Sequence, residues 1–217
     1  MCGIIGYVGP QQAAPILVEG LRRLEYRGYD SAGLAIVEGD VHLRRAVGKL
    51  RNLDAVLVDK PVTGSLGIGH TRWATHGRPT ENNAHPHVVG QVAVVHNGII
   101  ENHLALKAEL KARGHVFSSE TDSEVFAHLI REAQRAGLDL LAAVRASVKQ
   151  IKGTYALVAI SEADPERIIC TREAQPMVLG YADGQNFVAS DVPALLEHTR
   201  DVVFMEDGDV AVVTRAG

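Results

Sequence analysis

The chain has 217 residues, of which 46% are hydrophobic and 22% are charged, and its formal net charge is −4. This composition is typical of a globular protein with one sizeable core. The acidic balance, without a run of Lys or Arg, argues against a nucleic-acid or anionic-membrane partner. The N-terminus lacks a basic leader and a long apolar run, which argues against a signal peptide or membrane span. Cys2 and Cys170 form no C-x-x-C motif, so we expect a reduced, cytoplasmic protein.

The first half of the chain alternates predicted strands and helices. Hydrophobic residues at a spacing of two predict strands, and those at helical spacing predict helices. Glu38-Gly39-Asp40 separates two apolar runs as the turn of a hairpin would, which indicates a partly antiparallel sheet. In order, we predict a strand at 3–8, a helix at 14–24, strands at 32–37 and 41–46, a helix at 50–58, and strands at 65–72 and 91–96.

A block of helices follows, and then strands return. Three helices are predicted at 104–113, 124–136 and 140–152, each closed by a glycine: Gly114, Gly137 and Gly153. Short strands are predicted at 155–160, 167–171, 177–181 and 187–189, and a final hairpin joins 202–205 to 210–214 through Asp207-Gly208. Strand groups on both sides of a helical block predict α+β layers in one domain over 1–217. The end at Ala216-Gly217, directly after a strand, is where we expect a linker to begin.

Cys2 is the first candidate for catalysis. Once Met1 is removed, Cys2 would carry both a thiol and a free α-amine. The amine has a pKa of about 7.7–8.0 and a thiol about 8.5, so the amine can accept the thiol proton at neutral pH. The alternative is a buried structural cysteine that opens a strand.

Three polar clusters contain further candidate residues. Arg27 lies in a loop between a helix and a strand, where the alternative is a turn with an ion pair. Arg72 and Trp73 end a strand, and an Arg there can bind a carboxylate with two parallel hydrogen bonds. Asn97-Gly98 could supply an amide and a backbone N–H to one oxyanion, or it could simply form a hairpin turn.

Asp122 and the histidines have competing interpretations. Thr121 and Glu124 fit a capping box, which would explain Asp122 as a residue of a first helical turn, but its carboxylate could equally bind an ammonium group. The segment His85-Pro86-His87, with other histidines nearby in sequence, could hold a metal. No carboxylate or cysteine joins these histidines at the spacing of a metal motif, so we favour hydrogen-bonding roles.

Five segments occur in order along the chain: Cys2-Gly3-Ile4-Ile5-Gly6, Leu24 to Gly33 with Tyr26-Arg27-Gly28-Tyr29-Asp30-Ser31 at its centre, His70-Thr71-Arg72-Trp73-Ala74-Thr75-His76-Gly77, Asn83-Ala84-His85-Pro86-His87 and Val95-His96-Asn97-Gly98-Ile99-Ile100-Glu101-Asn102. Together they resemble the glutaminase domain of the glutamine:fructose-6-phosphate aminotransferases, a family of class II, N-terminal-nucleophile glutamine amidotransferases. The resemblance covers essentially the whole chain. It implies an α+β fold, a four-layer αββα sandwich with two mainly antiparallel sheets.

The resemblance also implies roles for individual residues. Cys2 would attack the side-chain amide of L-glutamine, and Asn97 and Gly98 would stabilise the oxyanion. Arg72 would bind the substrate α-carboxylate and Asp122 its α-ammonium group. The remaining implied residues are Trp73, Thr75 and His76, which would line or close the pocket, and Arg27, which would lie near the N-terminal amine. No metal or organic cofactor is implied.

Relatives of this kind continue into two sugar isomerase domains that this chain lacks, and their full-length chains form homodimers. The resemblance implies that the glutaminase domain supplies ammonia for the conversion of fructose 6-phosphate to glucosamine 6-phosphate in hexosamine biosynthesis. Two rival functions stay open from the sequence: a histidine-dependent metal hydrolase, and a regulatory amino-acid-binding module without catalysis.

Overall fold

The computed structural model describes residues 2–73 and 77–217 and arranges them in four layers. Two antiparallel sheets stack face to face, and helices cover both outer faces, so the predicted αββα sandwich is confirmed. The strands are β1 (Gly3–Val8), β2 (Ser31–Glu38), β3 (Asp40–Val47), β4 (Leu66–Arg72), β5 (His87–Val89), β6 (Val92–Ile100), β7 (Gly153–Ser161), β8 (Asp164–Glu173), β9 (Val178–Ala182), β10 (Gln185–Ala189), β11 (Asp201–Phe204) and β12 (Val210–Val213). One sheet has the order β11-β9-β10-β1-β4-β2-β3 and the other β12-β8-β7-β6-β5.

The helices divide between the two outer faces. Two of them, α1 (Ala13–Arg23) and α2 (Leu50–Asp59), pack on the seven-stranded sheet. The other three, α3 (His103–Ala112), α4 (Glu124–Arg135) and α5 (Leu140–Val148), lie with the five-stranded sheet. None of the helices in the described part of the chain combines the length and apolarity needed to cross a membrane.

The alternation of side chains along each strand separates the inner core from the outer ones. In β1, Ile4 packs between the sheets, whereas Ile5 packs against α1. In β6, Val95 faces the same inner core, whereas Val94 faces the helices. Because every second residue shares a face, Cys2 and Asn97 fall on the inner side of their sheets.

Two predictions at turn-like dipeptides are wrong: the end of a strand at Asn97-Gly98 and the hairpin at Asp207-Gly208. Asn97-Gly98 does not end a strand but lies inside β6, which continues to Ile100 and pairs with β7 throughout. The runs around Asp207-Gly208 do not pair with each other, because β11 pairs with β9 in one sheet and β12 pairs with β8 in the other. The chain therefore crosses from one sheet to the other at this point.

Two smaller differences concern helix and strand boundaries. The fifth helix ends at Val148, and Gly153, which we predicted to close it, is instead the first residue of β7. The short strand β5 has no counterpart in the prediction. Gly114 and Gly137 do follow helices with positive φ angles of 90° and 94°, as predicted for residues that terminate a helix.

Candidate active site

The sheet pairing brings the predicted residues to one end of the gap between the sheets. Strand β1 begins where β4 ends, because the strands are antiparallel and Gly3 pairs with Thr71. Cys2 and Arg72 are therefore neighbours at that end of the seven-stranded sheet. Asn97 lies across the gap in β6, and its side-chain Nδ2 donates to the Cys2 carbonyl oxygen over 3.0 Å.

The partly buried Cys2 is held through both its sulfur and its backbone. The Trp73 backbone N–H donates to the Cys2 Sγ over 3.2 Å, and Arg27 Nε donates to the Cys2 carbonyl over 3.0 Å. Burial raises the pKa of the Cys2 thiol, although the Trp73 hydrogen bond acts in the opposite direction. A thiol with a raised pKa is protonated at neutral pH, so it needs an adjacent base before it can attack.

One small cavity joins Cys2 to two buried side chains of opposite charge. Its volume is about 30 Å³, which has room for water but not for a whole amino acid, so its lining must move apart when an amino acid enters. Both Arg72 (4% exposed) and Asp122 (5% exposed) line it. A guanidinium and a carboxylate in one cavity match the two charges of an α-amino acid. The other described residues that line it are Trp73, His85, His96, Gly98, Thr121 and Ser123.

Arg72 already has hydrogen-bond partners at the end of β4. Its Nη1 donates to the Arg78 carbonyl over 3.4 Å and its Nη2 to the Gly77 carbonyl over 3.2 Å, while Asp30 Oδ1 lies 4.0 Å from Nη1. A ligand carboxylate would replace neutral carbonyl acceptors by charged ones, and such hydrogen bonds are roughly twice as strong.

Asp122 is fixed by the strand beside it rather than by a capping box, so that part of the prediction is wrong. Its Oδ2 accepts from the Ile100 backbone N–H over 2.8 Å. Helix α4 begins only at Glu124, and its N-cap residue, Ser123, makes no side-chain capping bond. The Thr121 hydroxyl instead contacts His87 Nε2 at 2.9 Å.

The Glu124 carboxylate secures the loop that precedes Asp122, a role that the sequence analysis missed. It accepts from the backbone N–H groups of Ser118 and Ser119 over 2.8 and 2.7 Å, and from both of their hydroxyls. Burial would raise the pKa of Glu124, but these bonds, together with the His128 ring whose Nε2 lies 3.5 Å from Oε1, outweigh it and hold the pKa well below its usual range.

A second, larger cavity lies on the other side of Cys2. It has a volume of about 220 Å³. Cys2, Trp73 and Gly98 line both cavities, so the thiol stands where the two meet. The 47% exposed Trp73 forms part of the rim, with its ring edge-on to Tyr29 at 5.4 Å. The other lining residues are Arg27, Asn97, Ile99, Thr154 and Gln175.

Arg27 connects Cys2 to the C-terminal third of the chain. Its Nη1 pairs with Asp191 Oδ2 at 2.9 Å, and Tyr26 donates to the same oxygen over 2.6 Å. The alternative interpretation, an ion pair within a local turn, does not account for Asp191, a partner of Arg27 that lies 164 residues away in sequence. No local pattern in the sequence could indicate Asp191.

Four histidines are buried together beside the cavities. The rings of His70 and His85 lie 4.2 Å apart, and those of His85 and His87 lie 4.5 Å apart. Burial lowers the pKa of all four imidazoles. The pKa falls to about 3 for His70 and His87, and it is also lowered for His85 and His96. Within residues 2–73 and 77–217, no three His, Cys, Asp or Glu side chains are grouped as metal ligands would be.

The remaining predicted site residues, Thr75 and His76, lie outside the described residues. A separate surface cavity of about 620 Å³, bounded by Tyr181, Asp201 and Arg215 among others, contains none of the predicted residues and no cysteine. The candidate site is therefore the pair of cavities around Cys2.

Comparisons with known proteins agree with this geometry. Residues 70–197, more than half of the chain, match the family described as "Glutamine amidotransferase domain". The chain is 55% identical to the glutamine–fructose-6-phosphate aminotransferases (isomerizing) of Shewanella oneidensis, over 99% of its length, and Thermus thermophilus, over 100%. It spans 36% of the length of each of these relatives.

Solved structures show the same fold. One, titled as the allosteric regulatory enzyme of purine biosynthesis, superposes with a TM-score of 0.87 at 28% identity. Another, the glutamine phosphoribosylpyrophosphate amidotransferase of B. subtilis complexed with ADP and GMP, gives 0.82 at 27% identity. Both alignments cover 100% of this chain and 48% of the other.

Proposed function

The chain belongs to the glutamine amidotransferase domain family, and from that premise we propose that it hydrolyses L-glutamine to L-glutamate and ammonia through a thioester on Cys2. The observation that carries the proposal is the small cavity in which Cys2 meets buried Arg72 and Asp122. The α-carboxylate of glutamine would bind Arg72 and its α-ammonium group Asp122. Its side-chain amide would then lie against the thiol.

The first half of the reaction forms the thioester. The α-amine of Cys2 takes the thiol proton while Sγ bonds to the amide carbon of glutamine. The negative charge moves to the amide oxygen, where Asn97 and the Gly98 N–H stabilise it. Since the Asn97 amide has two N–H donors, one can remain on the Cys2 carbonyl while the other binds the oxyanion. The protonated amine then gives its proton to the leaving nitrogen, and ammonia departs.

The second half releases glutamate. A water molecule gives a proton to the α-amine and attacks the thioester carbon, and the resulting tetrahedral oxyanion again lies against Asn97 and Gly98. When it collapses, the C–S bond breaks and the thiolate recovers its proton from the amine. The wider cavity, which includes Thr154 and Gln175, offers space for water beside the thiol.

The α-amine is a better candidate for the base than a histidine. Burial lowers the pKa of His70 to about 3, and lowers that of His85 and His96, which line the small cavity. A base with a pKa near 3 cannot hold the thiol proton at neutral pH, and burial makes His85 and His96 weaker bases than a free imidazole. Arg27 and Asn97, both bonded to the Cys2 carbonyl, keep the residue that carries the amine in place.

We further propose that this domain acts within a longer enzyme. The named relatives are aminotransferases about three times as long as the chain, so we infer that sugar isomerase domains use the ammonia to convert fructose 6-phosphate to glucosamine 6-phosphate. Hexosamine biosynthesis in the cytoplasm, by a homodimer, is the corresponding setting. Residues 1–217 alone should release ammonia but form no amino sugar when fructose 6-phosphate is added.

The decisive test compares protein that retains Met1 with the same protein after enzymatic removal of Met1. A peptide bond to Met1 takes the basicity from the nitrogen of Cys2, so only the trimmed form should show a burst of γ-glutamyl enzyme by mass spectrometry. Equal bursts would assign the base to a histidine. No glutamate release from the trimmed form would favour an amino-acid-binding module, and loss of activity with a chelator would favour a metal hydrolase.

A further inference from the structure

The side chain of His70 connects the two sheets directly behind the candidate oxyanion donor. His70 is in β4 of the seven-stranded sheet and is completely buried. Its Nε2 lies 3.0 Å from Oδ1 of Asn97, which belongs to β6 of the other sheet. His70 lines neither of the two cavities around Cys2, so it does not contact a substrate there.

The contacts of Asn97 fix the direction of both hydrogen bonds. The carbonyl oxygen of Cys2 can only accept, so the Asn97 atom that faces it must be the amide Nδ2. The amide oxygen Oδ1 then faces His70, and because Oδ1 can only accept, His70 Nε2 must carry the hydrogen. His70 Nδ1 is buried without a hydrogen-bond partner among the described residues, as expected if that nitrogen is unprotonated.

Rotation of the Asn97 amide by 180° would break both bonds. It would place Oδ1 against the Cys2 carbonyl oxygen, and it would place the NH₂ group against the N–H of His70. Two acceptors and two donors would then face each other in a buried environment, where unpaired polar groups are costly. One histidine tautomer therefore selects one amide orientation.

From this geometry we propose that His70 is a positioning residue, which donates from Nε2 to Asn97 Oδ1 and so keeps the Asn97 NH₂ group directed at Cys2 and the developing oxyanion. The proposal rests on the proposed glutaminase function. It predicts that His70 acts on the chemical step through Asn97 and has little influence on glutamine binding. Nε2 carries a hydrogen both in this neutral tautomer and in the charged ring, so the bond does not depend on the protonation state of Nδ1.

Two substitutions of His70 form a matched pair. A glutamine side chain extends to about the position of the histidine Nε2 and can donate there, whereas an asparagine reaches only the position of Nδ1. In protein from which Met1 has been removed, His70→Asn should lower kcat for glutamine about 10- to 100-fold. This is part of the effect of losing one oxyanion donor. His70→Gln should retain most of the activity, with KM within about twofold for both.

A double-mutant cycle then separates positioning from packing. Asn97→Ala should lower kcat about 10²- to 10³-fold. Adding His70→Asn to Asn97→Ala should cost no further activity if His70 acts through that amide. Additive losses would overturn the proposal, as would equal kcat values for His70→Asn and wild type. If His70→Gln and His70→Asn reduced Tm and kcat equally, packing would be the only role.

A measurement without substrate keeps this proposal distinct from the proposed function. The ¹⁵N chemical shifts of the His70 ring should show a protonated Nε2 and an unprotonated Nδ1 from pH 5 to 9. The opposite tautomer, with an unprotonated Nε2, would overturn the hydrogen-bond assignment. If the wild-type protein released no glutamate while the tautomer was as predicted, the proposed function would fail and the structural bond would stand.

Discussion

The two cysteines of the chain differ in burial, one completely and the other partly buried, and their surroundings have almost nothing in common. Cys170 lies inside β8, completely buried, with its Sγ 3.7 Å from Met205 Sδ, and burial raises the pKa of its thiol to about 12. Burial also raises the pKa of Cys2, but Cys2 stands between two cavities beside Trp73 and Asn97. The reactivity that we propose for Cys2 must therefore come from the groups arranged around the sulfur rather than from an intrinsically acidic thiol.

The sharpest form of this comparison removes each thiol, so that the cysteine side chain becomes the methyl group of alanine. Cys2→Ala should lower glutamate release by more than about 10⁴-fold, as expected for loss of a nucleophile. Cys2→Ser should be severely impaired, because a hydroxyl is much less acidic than a thiol. Cys170→Ala should keep kcat within about twofold and lower the free energy of unfolding by about 1 kcal/mol. A coupled assay measures glutamate release, and urea unfolding measures the free energy of unfolding. Similar activity losses in Cys2→Ala and Cys170→Ala would contradict the contrast between the two cysteines.

The second difference between the two environments is charge. Asp122→Asn should lower kcat/KM for glutamine about 10- to 100-fold, because a charged partner of the α-ammonium group is lost. Glutaric acid monoamide lacks that ammonium group, so the variant should no longer prefer glutamine to it. Arg72→Ala should also lower kcat/KM for glutamine, because it removes the proposed partner of the α-carboxylate.

Ser123→Ala is the matched control, since it removes a hydroxyl that donates to Asp122 Oδ1 over 3.4 Å without changing any charge. It should leave the preference for glutamine intact. If Asp122→Asn lowered only the melting temperature, the role of Asp122 would be limited to its bond with Ile100.

The smallest expected effect concerns Cys170 and pH. Its pKa rises from 9.0 to about 12 on folding, so between these values the unfolded chain ionises while the folded chain does not. The contribution of this group is thus fully present below about pH 9 and is lost as pH rises towards 12. At pH 10 the loss should be about 1.4 kcal/mol.

Urea unfolding at pH 8 and pH 10 tests this expectation. Between pH 8 and pH 10, the free energy of unfolding should fall by about 1.4 kcal/mol less in Cys170→Ala than in the wild type. Groups that titrate in both proteins, including Cys2, cancel in the difference. Equal pH dependence in the two proteins would mean that the Cys170 thiol is as easily ionised as an exposed one.

Local patterns in the sequence were enough to predict the α+β class and most of the strands, whereas the four-layer arrangement was predicted from the family resemblance. A short apolar run identifies β1 correctly, because both of its faces are buried, and Glu38-Gly39-Asp40 between two apolar runs identifies the first hairpin. The pattern fails at Asn97-Gly98, where a dipeptide typical of turns lies inside a strand. Gly98 has a φ of 129°, and a Cβ there would lie 2.0 Å from the Thr154 carbonyl oxygen. A glycine is required, but for close strand contact rather than for a turn.

The site was predictable where a resemblance covered it and not where distant parts of the chain meet. Cys2, Arg72, Trp73, Asn97 and Asp122 do come together around the cavities, although their roles remain proposals. The partners that hold them were not predicted. Asp191 reaches Arg27 across 164 positions of sequence, and His70 reaches Asn97 across the gap between the sheets. Such pairs depend on how the sheets stack, which no local spacing reveals.

The place of β1 between β4 and β10 has a consequence for the order of events during synthesis. Ile5 pairs with Ala189, so the first strand cannot complete its pairing until nearly the whole domain has been made. At about 5–20 residues per second, the 184 positions between these partners take roughly 10–40 s to synthesise. Throughout that interval the N-terminus is held by one neighbouring strand at most, which leaves time for an aminopeptidase to reach Met1 before the nucleophile is enclosed.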